Sequence, residues 1–147
     1  MDALDRQILG ALEGNARRTY NEVGAMVGLA ASSVHDRVRK LEKNGVIKGY
    51  RAEIDFEKVD LPITAFVSLA LRPASPENIP ARVAEFPLVE SCYSVAGDNS
   101  YALIVRAPTT KALEELLDAL RAKLEVVTRS TIVLSTPFER RPRLGSG

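Results

Sequence analysis

The apolar residues of this chain change their spacing near position 60, and that change limits the folds open to it more than any other feature. In the first part they recur three and four residues apart: Leu4, Ile8, Leu9, Ala11 and Leu12; Val23, Met26 and Val27; Val34, Val38 and Leu41. From Ile63 to Leu71 the pattern alternates instead. Helical positions share a face about every 3.6 residues, strand positions every second residue. The sequence therefore predicts an α+β chain, helical at its N-terminus and sheet-forming afterwards.

Local signals place three helices in the first part. Asp2 can cap a helix that has Asp5 at its third position and stops at Gly14. Thr19 stands three residues before Glu22, a spacing at which each side chain accepts from the other residue's backbone N–H. The helix it opens runs from Tyr20 to Val27, buries Val23, Met26 and Val27, and ends at Gly28. A turn, Gly28-Leu29-Ala30, leads into a third helix extending to Asn44, with Gly45 as terminator.

At about 100° per residue, Val34, Val38 and Leu41 of the third helix face the first two helices. The opposite side presents Ser32, Asp36, Arg39, Lys40 and Lys43, flanked by Ser33 and His35. Two helices, a tight turn and a third helix with an outward polar and basic side make a helix-turn-helix, whose last helix reads double-stranded DNA. Arg39 and Lys40 lie in the part that enters the groove. Ser32 and Ser33 are small donors near a helix N-terminus, where backbone N–H groups also attract phosphate. Lys43 and Lys48 suit a DNA contact or a merely solvated face. Asp36 either accepts from a cytosine amino group or, more simply, pairs with Lys40 four residues on. His35 reads as a polar residue at the DNA surface, and Arg37, at the edge of the apolar stripe, braces the helix or reaches a phosphate. Val46 to Ala52 reads as a β-strand with a basic turn, a wing against the phosphate backbone. Charge agrees: residues 1–52 hold nine Lys/Arg against six Asp/Glu, the remainder eleven against thirteen, so a net charge of +1 conceals a basic N-terminal part.

Beyond residue 61 the element order is βαββαβ. The strand Ile63–Leu71 precedes a helix that opens at Ser75-Pro76 and carries Ile79, Val83 and Phe86. Strands at Val89–Ala96 and Tyr101–Ala107 flank a turn from Gly97 to Ser100. A helix capped by Thr109 or Thr110 turns Leu113, Leu116, Leu117, Leu120 and Leu124 inward, and a last strand runs from Val126 to Leu134. Two helices cover one face of four strands, yet the adjacent, hence opposite, positions Phe66/Val67, Cys92/Tyr93, Leu103/Ile104 and Ile132/Val133 are all apolar. The second face needs cover, and the same face of a second copy supplies it. The expected organisation is a winged helix-turn-helix at 1–52, a linker strand at 53–61, a dimerising βαββαβ domain at 62–136 and a polar tail at 137–147. That tail, ending in Gly145-Ser146-Gly147, reads as disordered or appended.

Several short motifs fall in one order along the chain: Leu4-Asp5, Ile8-Leu9, Asn15-Ala16-Arg17, Val27-Gly28-Leu29, Ser33-Val34, Arg37-Val38, Leu41-Glu42, Gly45-Val46-Ile47-Lys48-Gly49-Tyr50, and Val95-Ala96-Gly97-Asp98 with Tyr101. In these the chain resembles the Lrp/AsnC (leucine-responsive regulatory protein / asparagine-operon regulator) family of feast/famine transcription factors, across residues 2–135. The resemblance implies sequence-specific DNA binding and a ferredoxin-like domain of the RAM/AsnC type. It also implies homodimers assembling into tetramers, octamers or larger, and an amino-acid effector held between dimers near the turn joining the second and third strands. By position, the effector site it implies comprises Gly97, Asp98, Asn99, Ser100 and Tyr101, with Thr128 and Ser130 on the last strand. Backbone N–H groups after a glycine can hold a carboxylate and Asp98 an ammonium; a plain hairpin turn is the competing reading of Gly97-Asp98. Three positions depart from the family pattern: Ala30 replaces a serine cap, Asn99 and Ser100 replace an aromatic-acidic pair, and Asp36 places negative charge on the third helix.

Two other functions compete with an amino-acid-responsive regulator: a ligand-independent nucleoid-organising protein and, remotely, a sirohaem decarboxylase, which shares the two-domain layout. The decarboxylase would want pocket histidines or arginines, whereas the one histidine here is His35. No enzyme chemistry, cofactor or metal is expected. There is no phosphate-binding glycine loop, no nucleophile–base pair at a recognisable spacing, and only Cys92 as a thiol. With no secretion signal and no apolar run near the ~20 residues of a membrane span, the chain suits a reducing cytoplasm.

Overall fold

In the computed structural model, which describes residues 1–144, the helical part comprises α1 (Ala3–Gly14), α2 (Tyr20–Val27) and α3 (Ala31–Lys43). Both reciprocal caps form. Asp2 accepts from the Asp5 N–H and Asp5 from that of Asp2, and Thr19 and Glu22 make the same exchange at α2. Gly28 closes α2 with φ of 73°, a left-handed conformation that costs a residue with a Cβ about 1–2 kcal/mol. Ile8, Ala11, Leu12, Val23, Val34 and Val38 form the small core, with Ile47 packed on its edge.

Met26 corrects one expectation: it is 59% exposed, not buried. The inward arc of this short helix runs through Tyr20, Val23, Gly24 and Val27, and Met26 lies about 110° from its centre. Gly24 takes the inward place because the turn after α2 packs its own backbone there; a Cβ would stand 2.4 Å from the Leu29 carbonyl oxygen.

The expected wing strand at 46–52 and linker strand at 53–61 do not form. Residues 46–55 are irregular, and Phe56–Val59 is one turn of 3-10 helix capped by Asp55. A strand needs a neighbour's N–H and C=O groups, and among the described residues no segment pairs with this one. Val46 and Ile47 donate instead to the Leu41 carbonyl.

Residues 54–136 form a separate unit. Strands β1 (Ile63–Leu71), β2 (Val89–Ser94), β3 (Tyr101–Ala107) and β4 (Val126–Ile132) make one antiparallel sheet in the order β2-β3-β1-β4. Helices α4 (Ile79–Val83) and α5 (Thr110–Leu124) complete the βαββαβ order. Ala65, Val67, Leu69, Leu103, Val105 and Val126 of the sheet pack on Ile79, Val83, Leu113, Leu116, Leu120 and Leu124 of the helices. Fully burying each such aliphatic side chain contributes roughly 1.5–3 kcal/mol.

Helix α4 begins three residues later than Ser75-Pro76 predicts. Asn78 precedes it in a left-handed conformation and Pro80 falls in its first turn. The Ser75 hydroxyl is occupied elsewhere, accepting from the Arg72 N–H and donating to the Glu125 carbonyl. Strands β2 and β4 end two residues earlier than expected, at Ser94 and Ile132. The tail read as disordered or appended is corrected in part: residues 137–144 pack with the helical unit, where Glu13 accepts from two of their backbone N–H groups, while Gly145-Ser146-Gly147 lies outside the described residues.

Candidate nucleic-acid interface

Helix α3 shows one side to solvent because the other is locked. Val34 and Val38 are fully buried and Leu41 nearly so, while Ser32, Ser33, His35, Asp36, Arg39, Lys40 and Lys43 are all exposed. The helix N-terminus carries no side-chain cap, since Ala30 has no acceptor to offer. Its first N–H groups, beside Ser32 and Ser33, are thus left for an anion.

The exposed cations are unneutralised. The ion pairs found on α3 among the described residues belong to Arg37, with Asp2 and Asp5; the His35 ring lies near Asp36, its Nδ1 3.7 Å from the carboxylate. The expected Asp36–Lys40 pair is absent. On a solvated helix face it would contribute only about 0.2–0.5 kcal/mol, too little to hold two mobile side chains against the nearer imidazole. Arg39, Lys40 and Lys43 therefore present their charge outward. The His35 ring also leans on Tyr20, centroids 5.4 Å apart, so that residue serves packing as well as the surface.

Of the two roles open to Arg37, the structure selects bracing. Its Nη1 donates to Asp2 Oδ2 at 2.7 Å and to Asp5 Oδ1 at 2.8 Å, tying the middle of α3 to the start of α1. The Arg37 hydrogen bond, then the Asp5 N–H, hold the Asp2 carboxyl below its ordinary range. For Asp5 the Asp2 N–H is the larger cause and Arg37 the second. The two carboxylates raise Arg37 in turn, Asp2 first. Two carboxylates on Nη1 offset its charge, so Arg37 is left out of the DNA-contact set proposed below.

Lys48 is exposed on the irregular segment after α3. Sequence reasoning missed what holds that segment: the Tyr50 hydroxyl donates to Glu42 Oε1 at 2.8 Å. Burial first, then the Glu42 carboxylate, push the Tyr50 phenol up to about 12. The only available signal was a tyrosine eight residues beyond a glutamate, across a turn, a spacing with no rule attached.

The expected effector residues fall into two groups. Tyr101 and Thr128 both pair with Leu69, on opposite sides of β1, and Ser130 pairs with Val67 one row along. All three share the sheet face that carries Leu69 and Val67. Gly97, Asp98, Asn99 and Ser100 belong to the loop between Ser94 and Tyr101, which are themselves paired. That loop is longer than a two-residue hairpin turn and is anchored: Ser100 N–H donates to the Leu69 carbonyl and Val95 N–H to that of Ser100. Gly97 sits at φ of 144°, Asp98 is exposed, and the Thr128 hydroxyl accepts from Arg121 Nη1 at 2.8 Å.

Residues 1–42 match the family model described as the AsnC-type helix-turn-helix domain, and residues 64–143 match the Lrp/AsnC ligand binding domain. The HTH-type transcriptional regulator LrpA of Mycobacterium tuberculosis is 43% identical over 145 residues, spanning 98% of this chain and 97% of that protein. A solved feast or famine regulatory protein of M. tuberculosis, complexed with L-methionine, is 42% identical with a TM-score of 0.92, covering 97% of this chain and 98% of its own. A Neisseria meningitidis transcriptional regulator in complex with L-methionine is 29% identical with a TM-score of 0.90, covering 97% and 96%.

Proposed function

Because the chain belongs to the Lrp/AsnC family of DNA-binding transcriptional regulators, not to an enzyme family, we propose that its DNA contact is the exposed side of α3. The contacting residues are Ser32, Ser33, His35, Asp36, Arg39, Lys40 and Lys43, with Lys48 on the segment that follows. One observation carries this: α3 turns three cations outward that form no ion pair among the described residues, while the charge of its fourth, Arg37, is met by Asp2 and Asp5. Each phosphate contact adds about 0.9 to the slope of log affinity against log salt. Arg39→Ala with Lys40→Ala should leave the fold intact, weaken binding, and lower that slope by about 2 per protomer. Unchanged affinity and slope between 50 and 200 mM salt would refute the assignment. Comparing the chain's own promoter with random DNA separates a sequence-specific regulator from a nucleoid-organising protein.

The effector reading follows the relatives that hold L-methionine. In this chain the candidate contacts are Gly97, Asp98, Asn99, Ser100 and Tyr101, with Thr128 and Ser130. The family resemblance implies a site between dimers, in a homodimer joined into a tetramer or octamer. A ligand that binds the folded state alone raises its melting temperature. L-methionine should therefore raise that of the intact chain, and Asp98→Ala should abolish the rise while leaving ligand-free DNA binding unaltered. A DNA-bound regulator works in the cytoplasm, in keeping with the absence, among the described residues, of any helix long and apolar enough to cross a membrane.

A further inference from the structure

The C-terminal segment, which the sequence reads as a disordered or appended polar tail, is clasped by the helical unit. The N–H groups of Arg143 and Leu144 both donate to one oxygen, Glu13 Oε2, at 2.7 Å each. Glu13 stands in the last turn of α1, which holds no basic residue. A carboxylate there faces the negative end of the helix dipole, and the two N–H groups offset that placement. Leu144 is half-buried and borders a groove of about 300 Å³ together with Leu9, Leu12, Ala16 and Ile47. Lys48 and Arg51, on the segment after α3, line the same groove.

The segment from 137 onward contains three arginines and one acidic residue, Glu139. The clasp uses its backbone and the Leu144 side chain and leaves its arginines at 141 and 143 outside. Arg141 and Arg143 are exposed, and neither forms an ion pair with a carboxylate among the described residues. Arg141 lies over the Phe138 ring, 5.5 Å from its centroid, which limits its rotamers without consuming its N–H donors. A solvated tail would not need two hydrogen bonds and an apolar anchor, Leu144, in the groove that Lys48 and Arg51 line. A planar fork of donors fits phosphate oxygens two at a time.

We propose that residues 137–144 are a clasped arm that binds the DNA backbone through Arg141 and Arg143, beside the phosphate-facing segment of Lys48 and Arg51. The arm carries no base readout, so it strengthens binding to every duplex alike. It rests on the reading that α3 and the segment after it face DNA. Its test uses the full-length chain with promoter and random duplexes across a salt series. Arg141→Gln with Arg143→Gln keeps the backbone donors of the clasp. It should lower the salt slope by about 2 per protomer and weaken both duplexes by the same factor, about tenfold. Glu13→Ala and Glu13→Gln both remove a negative charge, but only the amide keeps an acceptor for the clasp, so the alanine variant should bind less tightly than the glutamine one. An unchanged slope in the double arginine variant, equal affinities for the two Glu13 variants, or tighter binding on neutralising the arginines would each overturn the arm. Arg39→Ala with Lys40→Ala, measured in parallel, reports on α3 alone; its failure to weaken binding would sink the α3 reading and leave the arginine result to be judged by itself.

Discussion

Arg37 shows how one residue can resemble a DNA contact and act as a brace. It sits among the basic residues of the DNA-facing helix, yet both its partners lie at the other end of the helical unit, on the first turn of α1. The sign of its pH dependence follows from the carboxylates. Asp2 and Asp5 are held below their ordinary value of 3.8, so their contribution is fully present above that value and is lost as pH falls through the lowered folded values. Arg37→Ala should thus lower the melting temperature of the helical unit between pH 5 and 7, and the gap to the parent should close toward pH 2. All three groups are solvent-accessible, so added salt should narrow it too. The same variant should keep the parent's salt slope for DNA, in contrast to Arg39→Ala with Lys40→Ala. A fall in slope would return Arg37 to the phosphate-binding set.

At the scale of elements, the turn between α2 and α3 bears two opposed tests. Ala30 leaves α3 uncapped, and its φ of −67° and ψ of 150° already suit a capping residue. Ala30→Ser should add about 1 kcal/mol to stability, read as a higher urea midpoint with the slope unchanged. Gly24→Ala sets helix propensity, worth about 1 kcal/mol in favour, against a contact of 2.4 Å with a backbone oxygen. Overpacking costs typically 1–3 kcal/mol, and because the obstacle is main chain rather than a flexible side chain the upper end applies. The variant should be destabilised; a raised midpoint would mean that the turn can move away. These elements also show what the sequence could reveal. Both reciprocal caps and the stripe of Val34, Val38 and Leu41 were legible because their partners stand three or four residues apart, and the exposed side of α3 followed from that stripe. The wing strand failed because a strand depends on a neighbour that no local pattern guarantees. The Arg37 brace spans 32 and 35 residues and the Glu13 clasp 130 and 131, so neither leaves a signal in spacing. The effector residues were reached by resemblance, and their division into two groups depends on strand register.

For the whole molecule, we propose that the sheet face opposite the helices sets how many protomers act together. Phe66 is 53% exposed, Tyr93 54% and Val127 46%. Pairing puts Phe66 between Ile104 and Thr131, and Tyr93 beside Ala102, on that same face. An apolar surface of this kind on an otherwise closed unit marks an interaction site, and a symmetric dimer buries it twice over. Phe66 lies on β1, inside the sheet order, where a partner sheet would cover it most fully. Phe66→Asp removes roughly 1.5–3 kcal/mol of apolar burial from each protomer and sets two like charges near the dyad. Dimer association should therefore weaken on the order of a thousandfold, and light scattering at micromolar concentration should find single chains. DNA binding must then change in a way that tells assembly from contact. A lone protomer engages one half-site and loses the effective concentration that links two, so the salt slope should fall to about half the parent's while each protomer keeps its own phosphate contacts. Arg39→Ala with Lys40→Ala should lower the slope at unchanged particle size; Phe66→Asp should lower slope and size together. A Phe66→Asp protein that still scatters as the parent does would place the dimer on another surface.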